Sequence, residues 1–291
     1  MNVSLAKKIL KLTPKHILDP SKGSPTLSTP LPLSSGATIP AVGLATWRTE
    51  SEPDQIRDAV LLAIKSGYRH FDTTSRNEAE VGAAIKKAVA QGDVERKDLF
   101  VTVRLGTVGD FRVQDTIDTS LKNIGLDYVD LLIMDDNKSE FLETWRVLEK
   151  LPATNRTKAV GVANFTVASM EKLLSSHVSL PAVNQVTSNP YEDNNDIIQL
   201  CHDKIIHVTA FSPFRSETQG SLFNHEDVAK MAEKHSVVPE NVLLSWHIAR
   251  GNSVLVQDVI LGGSEENRKL VILDDEDLAI LDGIANQDPQ G

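Results

Sequence analysis

Cysteine is almost missing from this 291-residue chain. Cys201 is the single thiol, so no internal disulfide can form and a thiolate zinc site would lack its ligands. Long apolar runs are missing too. No stretch approaches the roughly 20 apolar residues that span a bilayer. Segment 1–22 carries Lys7, Lys8, Lys11 and Lys15 without the apolar core of a secretory signal. Basic side chains are outnumbered, 30 against 40 acidic, for a formal charge of −10, which repels phosphate backbones and anionic lipid. These absences predict a cytoplasmic protein with neither nucleic acid nor membrane among its partners. There is no glycine-rich dinucleotide turn, no phosphate-binding GxxxxGK[ST] loop, no HExxH and no repeat of 20 to 50 residues. His202 and His207 stand at no metal-ligand spacing, so no metal is expected.

What is present suits a globular fold. Apolar residues make up 41% and charged residues 24% of the chain, enough to bury one large core. Pro20, Pro25, Pro30 and Pro32, set among Ser and Thr, predict an extended, poorly ordered lead-in over 1–35. The folded body is expected over 36–291, beginning at Gly36. From there short β-branched or apolar runs alternate with stretches of helical spacing. Strands are predicted at 41–46, 69–73, 100–105, 128–134, 159–163, 182–186, 207–212 and 254–261. Helices are predicted at 53–66, 79–90, 113–124, 140–150, 167–175, 195–203, 225–235, 239–250 and 274–284. Strands separated by helical crossovers pair in parallel. Without a glycine-rich turn after the first strand, a closed (β/α)8 TIM barrel is favoured over an open doubly wound sheet.

Several strings then carry a resemblance. Gly36-Ala-Thr-Ile-Pro-Ala-Val-Gly-Leu-Ala-Thr-Trp47, Gly67-Tyr-Arg-His-Phe-Asp72 and Asn77-Glu78-Ala-Glu-Val-Gly82 are followed by LKNIGLDYVDLL from Leu121 to Leu132. Lys158-Ala-Val-Gly-Val-Ala-Asn-Phe165, Asn184-Gln185, Ala210-Phe-Ser-Pro213 and VLLSWHIARG from Val242 to Gly251 continue the series. This collinear set, over about 36–268, resembles the aldo-keto reductase superfamily, with departures that read as a degenerate, pseudoenzyme-like member. In that family a Tyr protonates the carbonyl oxygen while NADPH delivers hydride, helped by a Lys–Asp pair and a His. The resemblance implies that Asp72 is the family aspartate. The loop Asp72-Thr-Thr-Ser-Arg-Asn-Glu78 is two residues short and omits the tyrosine position. Arg104 stands at the lysine position and Asp135 at the histidine position. An always-charged planar guanidinium is no substitute for a compact, titratable ammonium.

On the cofactor side, the resemblance places Asn164 and Gln185 on the nicotinamide carboxamide, Phe211 in the stacking position and Arg268 at the 2′-phosphate. Leu261-Gly262-Gly263 stands where the family has Pro-Lys-Ser, while Gly262-Gly263-Ser264 could offer backbone N–H groups to a phosphate. NADPH binding is therefore left open. Trp47 is a candidate to line the substrate pocket. Two arrangements of Asp72, Arg104 and Asp135 are open: an acid/base pair flanking a cation, or an Asp72–Arg104 ion pair beside a solvated Asp135. His70 is expected to be packed, and Glu78 to start a helix as acids do. Loss of Tyr, Lys and His together predicts a redox-neutral acid/base enzyme of small-molecule biosynthesis, performing dehydration, isomerisation or cyclisation on a small ligand. A non-catalytic protein that binds a cofactor or a protein partner is the alternative, and weak residual NADPH-dependent oxidoreduction is the third reading.

Overall fold

In the computed structural model the described residues are 24–47, 52–105, 113–135, 141–216, 220–257 and 270–284. Eight parallel strands close into a barrel. In chain order they are β3 (Val42–Ala45), β4 (His70–Thr74), β5 (Phe100–Leu105), β6 (Val129–Asp135), β7 (Thr157–Ala163), β8 (Val183–Thr187), β9 (His207–Phe211) and β12 (Ser253–Val256), with β12 pairing both β9 and β3. The expected (β/α)8 barrel is the fold observed. The last strand stops at Val256, and residues 258–261 of its predicted span lie outside the described residues.

Helices follow the strands: α1 (Pro53–Lys65), α2 (Glu78–Gln91), α3 (Val113–Ile124), α4 (Phe141–Leu148), α5 (Val167–Leu174), α6 (Asn195–Asp203), α7 (Glu226–His235), α8 (Pro239–Ala249) and α9 (Asp275–Gly283). Their apolar faces supply Val60, Val81, Ile85 and Ile117 to the same buried cluster as Phe71, Val101, Leu131 and Val160 of the strands. Burying a Val, Leu, Ile or Phe contributes about 1.5–3 kcal/mol, so the strand–helix interface dominates cohesion. Pro at the first helical position starts α1 and α8, where a missing N–H costs nothing. Among the described residues no helix is long and apolar enough to cross a membrane.

Before the barrel, β1 (Pro30–Pro32) pairs antiparallel with β2 (Thr38–Pro40), setting Leu31 opposite Ile39. Leu27, Leu31 and Leu33 are buried in the main core. Ordered structure therefore begins ahead of the boundary expected at Gly36, because these three leucines gain burial that the prolines around them do not prevent. The lead-in residues 1–23 lie outside the described residues. A second short ladder joins β10 (Arg215–Ser216) to β11 (Gly220–Ser221) after β9.

Register decides what reaches the mouth. Ala45 pairs with Asp72, Thr74 with Arg104, Asp135 with Ala163, Ala163 with Gln185 and Thr187 with Phe211. Residues far apart in sequence thus gather at the C-terminal ends of adjacent strands, the end where barrels of this class carry their chemistry. One layer deeper, His70 fills the interior. A Cβ on Gly43 would lie 2.5 Å from its Nδ1, so β3 needs glycine there for the imidazole to fit.

Candidate functional site

Asp72, near the end of β4, is fully buried. Its Oδ2 accepts a 2.8 Å hydrogen bond from Gln185 Nε2, while its Oδ1 has no hydrogen-bond partner in the protein. Burial pushes its carboxyl up to about 7, opposed by the Gln185 bond and by the charge of Arg104 and assisted by the charge of Asp135. Loss of hydration outweighs the nearby cation because that cation is engaged elsewhere. Arg104 Nε donates to Asp135 Oδ2 at 2.9 Å and Nη2 donates to Asp135 Oδ1, a bidentate pair. Its Nη1 reaches Gln185 Oε1 at 3.3 Å.

Asn164 follows β7 with φ 59°, a left-handed conformation that asparagine tolerates better than most residues. Its backbone N–H donates to Gln185 O at 2.8 Å, and its side-chain Nδ2 donates to Asp135 Oδ1 at 3.1 Å. Around Arg104 stand two rings, with the Trp47 and Phe211 centroids 5.5 Å and 5.9 Å from the guanidinium carbon. Trp47 meets Phe211 edge-on at 5.6 Å between centroids. The structure thus brings together Trp47, Asp72, Arg104, Asp135, Asn164, Gln185 and Phe211. Arg268 and the segment 262–264 lie outside the described residues. Of the two arrangements open for the charged trio, the observed one pairs Arg104 with Asp135, not with Asp72.

The other titratable candidates have structural partners. His70 Nε2 lies 2.9 Å from Thr102 Oγ1, its ring meets Phe100 edge-on, and burial pushes its pKa down to about 3. Glu78 starts α2 and is buried. It accepts from Ser120 and, at 3.3 Å, from Asn123 of α3, and burial raises its pKa. The three tyrosines have different surroundings: Tyr68 is in the core, Tyr128 lies under Arg96 and Lys158, and Tyr191 meets His225 edge-on at the wall of a cleft beside Asn164. Among the described residues no three His, Cys, Asp or Glu side chains converge as metal ligands.

Beside Asn164 opens a cleft of about 910 Å³ between the loops leading into α5 and α6, lined also by Thr166, Thr187, Tyr191 and Asn194. It was not anticipated from sequence, although the Asn- and Asp-rich run from Asn189 to Asp196 signals an irregular polar loop.

The aldo/keto reductase family model matches residues 41–286. The chain belongs to this family. It is 35% identical over 286 residues to D-galacturonate reductase of Hypocrea jecorina, covering 89% of this chain and 91% of that one. It is 36% identical over 290 residues to glycerol 2-dehydrogenase (NADP(+)) of Saccharomyces cerevisiae, covering 88% and 91%. A Bombyx mori aldo-keto reductase solved in complex with NADP superposes with a TM-score of 0.81 at 28% identity, over 90% of this chain and 94% of that one. Another aldo-keto reductase, complexed with NADPH, also gives 0.81 at 28% identity, over 89% and 88%.

Membership corrects the expected function. The redox-neutral reading and the non-catalytic alternative are overturned by relatives named as reductases and dehydrogenases and by structural neighbours holding NADP or NADPH. Both readings gave the missing Tyr, Lys and His too much weight.

Proposed function

We propose that this chain is an NADP(H)-dependent oxidoreductase that interconverts a small carbonyl compound and its alcohol. The observation that carries the reading is the pair of amides, Asn164 and Gln185, brought beside Phe211 at the ends of neighbouring strands in a chain whose relatives are reductases. Their donors and acceptors fit a carboxamide, and the Phe211 ring fits a flat heterocycle. When bound, the cofactor supplies hydride to the carbonyl carbon. The matching proton must reach the carbonyl oxygen from a protein group.

Asp72 is the group suited to hold that proton. Its Oδ2 is taken by the Gln185 amide, so a protonated carboxyl carries its hydrogen on Oδ1. With a pKa near 7 it can give a proton up at neutrality. The lone buried thiol and acidic charge support a cytoplasmic setting and a small-molecule substrate in this reading.

Titration of the protein with NADPH by calorimetry, beside a Gln185→Ala variant, is the direct test. Micromolar binding is expected, with at least about a tenfold loss in the variant. NADPH consumption with glyceraldehyde, dihydroxyacetone and galacturonate then reads turnover. Absence of binding up to millimolar NADPH would overturn the proposal.

A further inference from the structure

Arg104 and Asp135 do more than neutralise each other. Arg104 has spent Nε and Nη2 on the two oxygens of Asp135 and directs Nη1 at Gln185 Oε1. Asp135 receives Asn164 Nδ2 on one of those same oxygens. An amide can rotate by half a turn and exchange its donor and acceptor ends, yet here Gln185 has both ends assigned and Asn164 one. Gln185 must keep Oε1 toward the guanidinium and Nε2 toward Asp72. Asn164 must keep Nδ2 toward the carboxylate, which leaves Oδ1 as the acceptor end it can present to a ligand.

The same pairing governs the environment of Asp72. The charges acting on Asp72 are Arg104 on β5 and Asp135 on β6. From the other strands around it come Thr46 after β3, which donates to its backbone oxygen at 2.9 Å, Gln185 on β8 and Phe211 on β9, none of them titratable in the neutral range. His70 on its own strand is held neutral by burial. A guanidinium that formed a hydrogen-bonded pair with Asp72 would keep that carboxyl ionised and remove it as a proton source.

We infer that Asp135 is a positioning residue for the reduction: by clamping Arg104 and Asn164, it orients both amides of the nicotinamide site and keeps the guanidinium from pairing with Asp72. The inference rests on the reductase reading above. It assigns a role to a residue that stands outside the family pattern and whose side chain is 29% exposed, at the mouth and outside the hydrophobic core.

Wild type, Asp135→Asn and Asp135→Glu, each checked by urea unfolding, are titrated with NADPH, and kcat/KM for carbonyl reduction is followed against pH. Asp135→Asn is expected to weaken NADPH by about tenfold or more. It should also move the pH at which reduction falls off downward by about one unit, because a freed Arg104 turns to Asp72. Asp135→Glu, which keeps the charge, should recover part of both. If Asp135→Asn does not fold, Asp135→Ser takes the same readings. A variant that binds NADPH like wild type with an unmoved pH profile overturns the inference and leaves the reductase reading standing. Failure of the wild type itself to bind NADPH overturns the reductase reading, and the inference with it.

Discussion

At Asp72 a single buried carboxyl has one amide donor and one oxygen without a partner. Asparagine has the same shape and can accept the Gln185 bond, but it holds no transferable proton. Asp72→Asn is therefore expected to lower kcat/KM for reduction by about 10²- to 10⁴-fold. It should also abolish the decline expected of wild type as pH rises through about 7, the value to which burial pushes this carboxyl. Stability should move the other way. A carboxyl whose folded pKa lies above its unfolded value loses stabilising power as pH rises through the folded value. At pH 8 the variant should match or exceed wild type in urea. An Asp72→Asn protein of undiminished activity would remove Asp72 as the proton source.

Among the elements, α2 and α3 must approach closely because the two helices cover neighbouring strands. The close point is Gly82, where a Cβ would lie 1.8 Å from the carbonyl oxygen of Ile124 at the end of α3. That oxygen belongs to backbone and cannot swing aside. Gly82→Ala would raise helix propensity anywhere else, yet here it should destabilise the protein by about 1–3 kcal/mol through overpacking. The urea midpoint measures this. The same helix pair buries Glu78 against Ser120 and Asn123, so a shift of α3 should also disturb the loop that leads from Asp72 into α2. A neutral or stabilising Gly82→Ala would show that the pair is looser than the structure has it.

For the molecule as a whole, pH dependence follows from buried histidines. Burial pushes His70, His207 and His247 down to about 3 from 6.5, so between those values the unfolded chain takes up protons that the native barrel refuses. Each such histidine costs about 1.4 kcal/mol per unit of acidification in that window. Asp72 runs opposite, since from about 7 down to 3.8 the native state holds a proton that the unfolded chain has released. Glu78 is raised and adds to that offset, while His202 is lowered and adds to the loss. Four histidines against two carboxyls leave a net loss, and the urea midpoint should be lower at pH 5 than at pH 7. His247 offers a check, because neither ring nitrogen has a partner in the protein. His247→Leu should flatten the dependence. An equal or higher midpoint at pH 5 in wild type would contradict the burial of these rings.

Periodic, locally coded features were legible in the amino-acid sequence. Helices at 113–124 and 195–203 and the strand at 100–105 appear at the expected bounds, because side-chain period and turn residues act within a few positions. Asp72, Arg104, Asp135, Asn164, Gln185 and Phe211 were singled out by the resemblance to the aldo-keto reductases, and the predicted strands placed them at strand ends. Partnership was not legible. Whether Arg104 joins Asp72 or Asp135 depends on how β4, β5 and β6 stagger around a closed barrel, and side chains 31 residues apart meet only once that register is set. The leucines of the lead-in likewise look like part of a proline-rich linker until the barrel gives them a surface to bury against. Sequence alone determined the barrel and which chemical groups reach its mouth. Tertiary structure decided which of those charges neutralise each other and which carboxyl is left to hold a proton, since burial and pairing arise only when distant strands close on one another.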